Sequence, residues 1–179
     1  MNPPRTAFEL LLGIDQRCRA QAAALPSQSA RLQSWSGIGF RLATHWFVAP
    51  MADVVEVLPE PRLTQVPGVQ HWVRGVANLR GRLLPVMDLG GFFGQPRSSV
   101  MKQRRVLVID HEALFTGLLV DEVPGLQHFP LSRLDPALPA GLPPMLQPFL
   151  QGHFQRERSW AVFSPLKLKN VAEFMNVAL

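Results

Sequence analysis

Among its 179 residues the chain has a single cysteine and no tyrosine, only 17% of its side chains are charged, and no apolar run approaches the roughly 18 residues needed to cross a bilayer. Each shortage excludes something. Cys18 alone cannot close an internal disulfide, which suits a reducing compartment. The opening MNPPRTAFELLLGI has an acidic residue inside its only apolar run and no small-residue cleavage pattern, so it does not read as a signal peptide, and a cytoplasmic protein is expected. The histidines His45, His71, His111, His128 and His153 never stand three to five residues apart, so zinc spacing is absent. No phosphate-binding loop, nucleophile elbow or G-x-G-x-x-G run occurs, and Gly37-Ile38-Gly39 and Gly90-Gly91 read as turn fragments. Asp121 and Glu122 are adjacent on a strand pattern and should point to opposite faces, where they cannot share a proton. No catalytic centre, cofactor or metal is expected.

Charge of one sign is in modest excess. A net +5 with an isoelectric point near 10.6 could mark a nucleic-acid footprint, but the basic residues are scattered. Only Lys102, Arg104 and Arg105 crowd together, directly before the apolar run Val106–Ile109, as solvated flanks of a buried strand. No RNP-like aromatic pattern is present. A β-barrel that binds nucleic acid stays as the alternative from another functional class, and steep salt dependence of retention on DNA or RNA would reveal it.

What the chain does have is apolar residues, 47% of the total, enough to build a core that removes about 70% of the unfolded surface from water. Thr6-Ala7-Phe8-Glu9 has capping-box spacing, and Phe8, Leu11, Ile14, Cys18, Ala22 and Leu25 recur at helical intervals up to Pro26. Residues 1–33 are therefore expected to hold an amphipathic helix and a polar connector, the helix serving either as a docking arm or as a cover for the chain's own core. From Ile38 onward the texture changes to runs of four to seven β-branched and aromatic residues broken by Gly and Pro. These runs lie at 39–42, 46–49, 54–58, 73–77, 83–89, 106–109, 114–120, 125–129, 150–154 and 160–163. A mainly β fold follows.

The runs repeat. Gly75 to Leu89 can be laid on Gly152 to Leu166 without a gap, an offset of 77, and Glu56-Val57 echoes Glu122-Val123 at an offset of 66. The eleven extra residues fit in 135–148, where five prolines exclude a central strand and suggest an inserted loop. Two related β-rich units are expected to close into small barrels and to pack on each other.

The most informative stretch is WVRGVANLRGRLLPVMDL from Trp72 to Leu89, which joins Gly75, an Asn-Leu-Arg-Gly corner and a strand, with an arginine held at the bend. Together with VVEVLPEPRLTQVPG from Val54, RRVLVI from Arg104 and GLLVDEV from Gly117, it closely resembles the CheW-like coupling proteins of bacterial chemosensory systems. The resemblance covers 38–168, about three quarters of the chain. The leading helix and SWSGIGFRLATHWFVAP from Ser34 look most like the PilI type, which serves type IV pili and twitching motility.

The resemblance implies two packed five-stranded SH3-like β-barrel lobes, drawn here as about 34–98 and 99–170 within a CheW-like domain at 34–170, followed by a tail at 171–179. It further implies an adaptor that turns over no substrate. Its partners would be a CheA-type histidine kinase, met through the kinase's regulatory domain, and methyl-accepting chemoreceptors, with the membrane reached only through those receptors. A flagellar chemotaxis role is the neighbouring alternative. Carried onto this sequence, the family's partner-binding positions fall on Arg80, with Asn78 in the same corner, on Glu56, an acid able to pair with that arginine, and on Val54. Gly75, Gly117 and Gly152 match family glycines. An arginine suits position 80 because its planar fork can hold a carboxylate and still offer donors. Glu56–Arg80 could equally be a structural bridge, Val54 could be core, and the glycines could serve close packing of backbone. The sequence departs from many relatives at Phe163-Ser164-Pro165-Leu166, where they carry an Asp-containing turn, and in its proline-rich loop.

Overall fold

The computed structural model describes residues 15–17, 34–96, 100–112 and 114–179. The chain separates into Met1–Gln33 and Ser34–Leu179. In the first unit, Asp15, Gln16 and Arg17 are helical and exposed, and the remainder of the amphipathic face read from Phe8 to Leu25 lies outside the described residues.

The second unit is built of strands that follow the apolar runs closely. They are β1 (Ser34–Leu42), β2 (His45–Pro50), β3 (Glu56–Pro59), β4 (Val73–Leu79), β5 (Arg82–Asp88), β6 (Arg105–His111), β7 (Leu114–Val120), β8 (Glu122–Pro130), β9 (Leu134–Asp135), β10 (Leu150–Gln155) and β11 (Ser159–Phe163). Two short α-helices join them: α1 (Leu89–Phe92), capped by the Asp88 carboxylate accepting from the Gly91 N–H, and α2 (Ala172–Met175). A six-stranded sheet has the order β8-β1-β2-β11-β10-β9 and a five-stranded sheet the order β3-β6-β7-β5-β4. The sixth strand, β9, was not expected. It is two residues long, too short to leave a run in the sequence.

The sheets do not coincide with the lobes drawn at 34–98 and 99–170. Hairpin β1–β2 of the first half sits in the six-stranded sheet with β8–β11, and hairpin β6–β7 of the second half sits in the five-stranded sheet with β3–β5. Each sheet is thus completed by a hairpin from the other half. The two parallel contacts, β2 with β11 and β5 with β7, are where the exchanged hairpins are joined on. Parallel pairing requires a long crossover: β3 to β10 intervene between β2 and β11, and α1 and β6 intervene between β5 and β7. Apolar alternation tells a strand which face to bury but not which strand lies beside it, so the exchange leaves no local trace.

The repeat itself holds at the level of backbone. Gly75 and Gly152 have φ of 128° and 126°, and a Cβ on them would stand 2.3 Å from the Thr64 carbonyl oxygen and 2.4 Å from that of Asp135. Both positions need glycine for the same reason, a left-handed backbone pressed on a neighbouring chain segment.

Three clusters fill the interior. Ala77, Leu84, Val86, Val106, Val108 and Leu119 lie within the five-stranded sheet, and Val48, Phe129, Phe154, Trp160 and Val162 within the six-stranded one. The largest cluster is shared, with Phe40, Phe47 and Phe163 from the six-stranded sheet and Leu107 and Ile109 from the five-stranded one. The proline-rich loop is anchored to it by Leu146 and Phe149, from a 3-10 helix at Pro144–Phe149. Residues 171–179 are not a free tail. Phe174 stacks on Trp72 with ring centroids 5.5 Å apart, and Ala178 bridges to Val69. Among the described residues no helix is long and apolar enough to cross a membrane.

Candidate protein-docking mouth

Strands β4 and β5 meet in a two-residue turn, Arg80-Gly81, with Leu79 opposite Arg82. Both turn residues have positive φ, 53° and 86°, as the tight hairpin turns that match strand twist require. The Asn78 side-chain oxygen accepts from the Gly81 N–H at 2.8 Å and closes the corner. The Asn-Leu-Arg-Gly sequence therefore has a local meaning: Asn78 and Gly81 shape a bend that lifts Arg80 into solvent. Its side chain is 78% exposed and donates to Glu56 Oε1 at 2.9 Å.

Alternation along the strands places the remaining groups. Leu84 and Val86 of β5, Val106 and Val108 of β6 and Leu119 of β7 point inward. Arg82, Asp110 and Phe115 are the next residues on that same face, at the rim. The Arg82 guanidinium donates to Asp110 Oδ2 at 2.7 Å and lies 3.8 Å over the centre of the Phe115 ring. With Leu79, Glu56 and Val55 these residues ring a shallow cavity of about 110 Å³ at the mouth of the curled sheet. Val55 is 63% exposed there. Two paired arginines, an aromatic face and an exposed valine around a shallow opening suit recognition of another protein, since arginine and aromatic anchors carry much of the energy of such interfaces. Among the described residues no group of three or more His, Cys, Asp or Glu could hold a metal ion.

The structure brings Glu56, Asn78 and Arg80 together at this mouth and leaves the other expected positions elsewhere. Val54 is half-buried against the shared core, and it is its neighbour Val55 that lines the mouth. A Cβ on Gly117 would meet Val106 Cγ1 at 2.6 Å within the five-stranded sheet, so this glycine, like Gly75 and Gly152, has an intramolecular reason to be there. Arg82, Asp110 and Phe115 went unread because they come from three strands whose adjacency only the fold reveals. Asp121 and Glu122 do not diverge as expected: a bend between β7 and β8 lets both approach Arg41, at 3.8 Å and 3.0 Å. Asp121 also accepts from the Ala43 N–H at 2.7 Å.

The CheW-like domain family matches residues 36–173. This chain belongs to the CheW-like family. Over its full 179 residues it is 56% identical to protein PilI of Pseudomonas aeruginosa, with all of both chains covered. It is 28% identical to the chemotaxis protein CheW of Thermotoga maritima over 104 residues, 58% of this chain and 68% of that one. It is 30% identical to protein FrzA of Myxococcus xanthus over 97 residues, 54% of this chain and 61% of that one. The crystal structure of the scaffolding protein TtCheW from Thermoanaerobacter tengcongensis superimposes with a TM-score of 0.63 at 24% identity, covering 72% of this chain and 88% of that one. The fold is CheW-like in its two curled sheets, and scaffolding is the role that comes with this family.

Proposed function

We propose that this CheW-like chain is a non-enzymatic adaptor that couples methyl-accepting chemoreceptors to a CheA-type histidine kinase, in a chemosensory pathway controlling type IV pilus twitching motility. The observation that carries this reading is the mouth around Arg80: a family arginine displayed by a purpose-shaped turn, ringed by groups that recognise and none that react. Full-length similarity to protein PilI supports the pilus system over a flagellar one. In this reading the chain works in the cytoplasm and joins membrane arrays only through its receptors. The regulatory domain of the kinase and the tip of the receptor hairpin are the two partners, and Arg80, Glu56 and Val55 lie on the surface they share.

The test is affinity capture with the tagged chain from its own cells. The kinase and a receptor should come with the native protein, and Arg80→Glu should weaken capture of at least one by about 1–3 kcal/mol, the scale of reversing a charge in an interface hydrogen bond. Undiminished capture of both partners by the variant, or a native protein that captures neither, would count against the reading.

A further inference from the structure

The six-stranded sheet has a mouth built on the same plan. Arg41 of β1 stands opposite Trp46 of β2 as Asp110 of β6 stands opposite Phe115 of β7. Glu122 opens β8 as Glu56 opens β3. The tip joining β10 to β11 carries Arg156-Glu157-Arg158, and Arg158 lies 4.3 Å over the Trp46 ring as Arg82 lies over Phe115.

One exchange alters the chemistry. In the first mouth Asp110 neutralises the arginine stacked on the ring. In the second mouth that position is Arg41, whose charge is taken by Glu122 and Asp121. Arg158 consequently has no carboxylate within ion-pair distance among the described residues. Its neighbour Arg156 lies 4.5 Å over the Phe129 ring and donates to the His128 carbonyl, again with no carboxylate. These arginines and Trp46 line a cavity of about 620 Å³, against about 110 Å³ at the first mouth.

We propose that this second mouth binds an acidic segment of a partner protein, whose side-chain carboxylate takes the place that Asp110 fills in the first. Arg158, stacked on Trp46, keeps its guanidinium donors available, and Arg156 keeps those not given to the His128 carbonyl, which favours a carboxylate held by the fork of Arg158. The cavity falls within the range of about 300–1,000 Å³ that receives compact ligands. Glu122 and Glu157 stand in the same wall and oppose a polyanion, so a peptide carboxylate fits better than a phosphate or a nucleic acid. Arg80 stands at the other mouth, so binding here should be unchanged in Arg80→Glu.

The test selects peptides from a displayed random library on the full-length chain. The native protein should enrich sequences containing Asp or Glu, and the synthesised winners should bind Arg158→Gln about tenfold or more weaker, the scale of a lost charge-assisted hydrogen bond. They should bind Arg82→Gln, altered at the other mouth, as tightly as the native chain. Matching melting curves verify that each variant is folded. Selection without acidic enrichment, equal binding to Arg158→Gln, or displacement of the peptides by millimolar inorganic phosphate or ATP would overturn the proposal, the last by assigning the mouth to phosphate.

Discussion

Arg80 occupies a backbone conformation that a residue with a Cβ adopts at a cost. Its φ of 53° is left-handed, where arginine loses about 1 kcal/mol relative to the ordinary regions and asparagine is better tolerated. Its ion pair offsets little. Two unit charges 2.9 Å apart gain about 1.4 kcal/mol in a water-like medium, and with the arginine 78% exposed, salt and side-chain ordering reduce this to about 0–1 kcal/mol. Arg80→Asn should therefore change folding stability by no more than about 1 kcal/mol in either direction, or roughly 2–4 °C in Tm for a chain of this size. The same variant should lose about 1–3 kcal/mol of affinity for the kinase regulatory domain. Urea denaturation followed by tryptophan fluorescence gives the first quantity and titration calorimetry the second. A fold weakened by more than about 2 kcal/mol with affinity intact would make Arg80 a structural residue and not a docking one.

Three further outcomes concern the scaffold and are read by denaturant unfolding or melting curves. Gly75→Ala and Gly152→Ala should each destabilise by about 2–4 kcal/mol, because the new Cβ meets a carbonyl oxygen in a left-handed backbone, and similar losses at both sites would support their equivalence. Phe174→Ala should cost about 3–5 kcal/mol, since this 2% exposed ring packs against Trp72 and Phe92, whereas a negligible loss would show that 171–179 are dispensable to the fold. Burial raises the pKa of Asp53, with His111 pulling it back down. A raised carboxyl pKa means the charged form is disfavoured in the fold, so its contribution is present at low pH and lost as pH rises through the folded pKa. Asp53→Asn should then raise Tm at neutral pH, with the gain shrinking on acidification; a gain independent of pH would contradict this.

Strand positions were legible because the runs of β-branched and aromatic residues were short and broken by glycine, proline or charged residues, and Asn78-Leu79-Arg80-Gly81 announced its turn through local chemistry. The duplication was legible because Gly75 and Gly152 meet the same backbone demand. Pairing between distant strands was not. Nothing near Phe115 says that Arg82 will lie over its ring, and nothing near Arg41 says that it will stand where its counterpart is Asp110. The exchange of hairpins between sheets belongs to the same class, since it is fixed by long-range packing in the shared core of Phe40, Phe47, Leu107 and Phe163. Val54 was preferred over Val55 for a related reason: the change from the 3-10 turn at Met51–Asp53 into β3 decides which of the two valines faces the core.

In the proposed role this chain transmits a receptor's state to a kinase by binding both. Kinase autophosphorylation, measured in a reconstituted mixture of kinase and receptor-bearing vesicles with and without the chain, tests it most directly. Receptor control of the kinase should appear only when the native chain is added and should be diminished with Arg80→Glu. Full receptor control in its absence, or none in its presence, would contradict it.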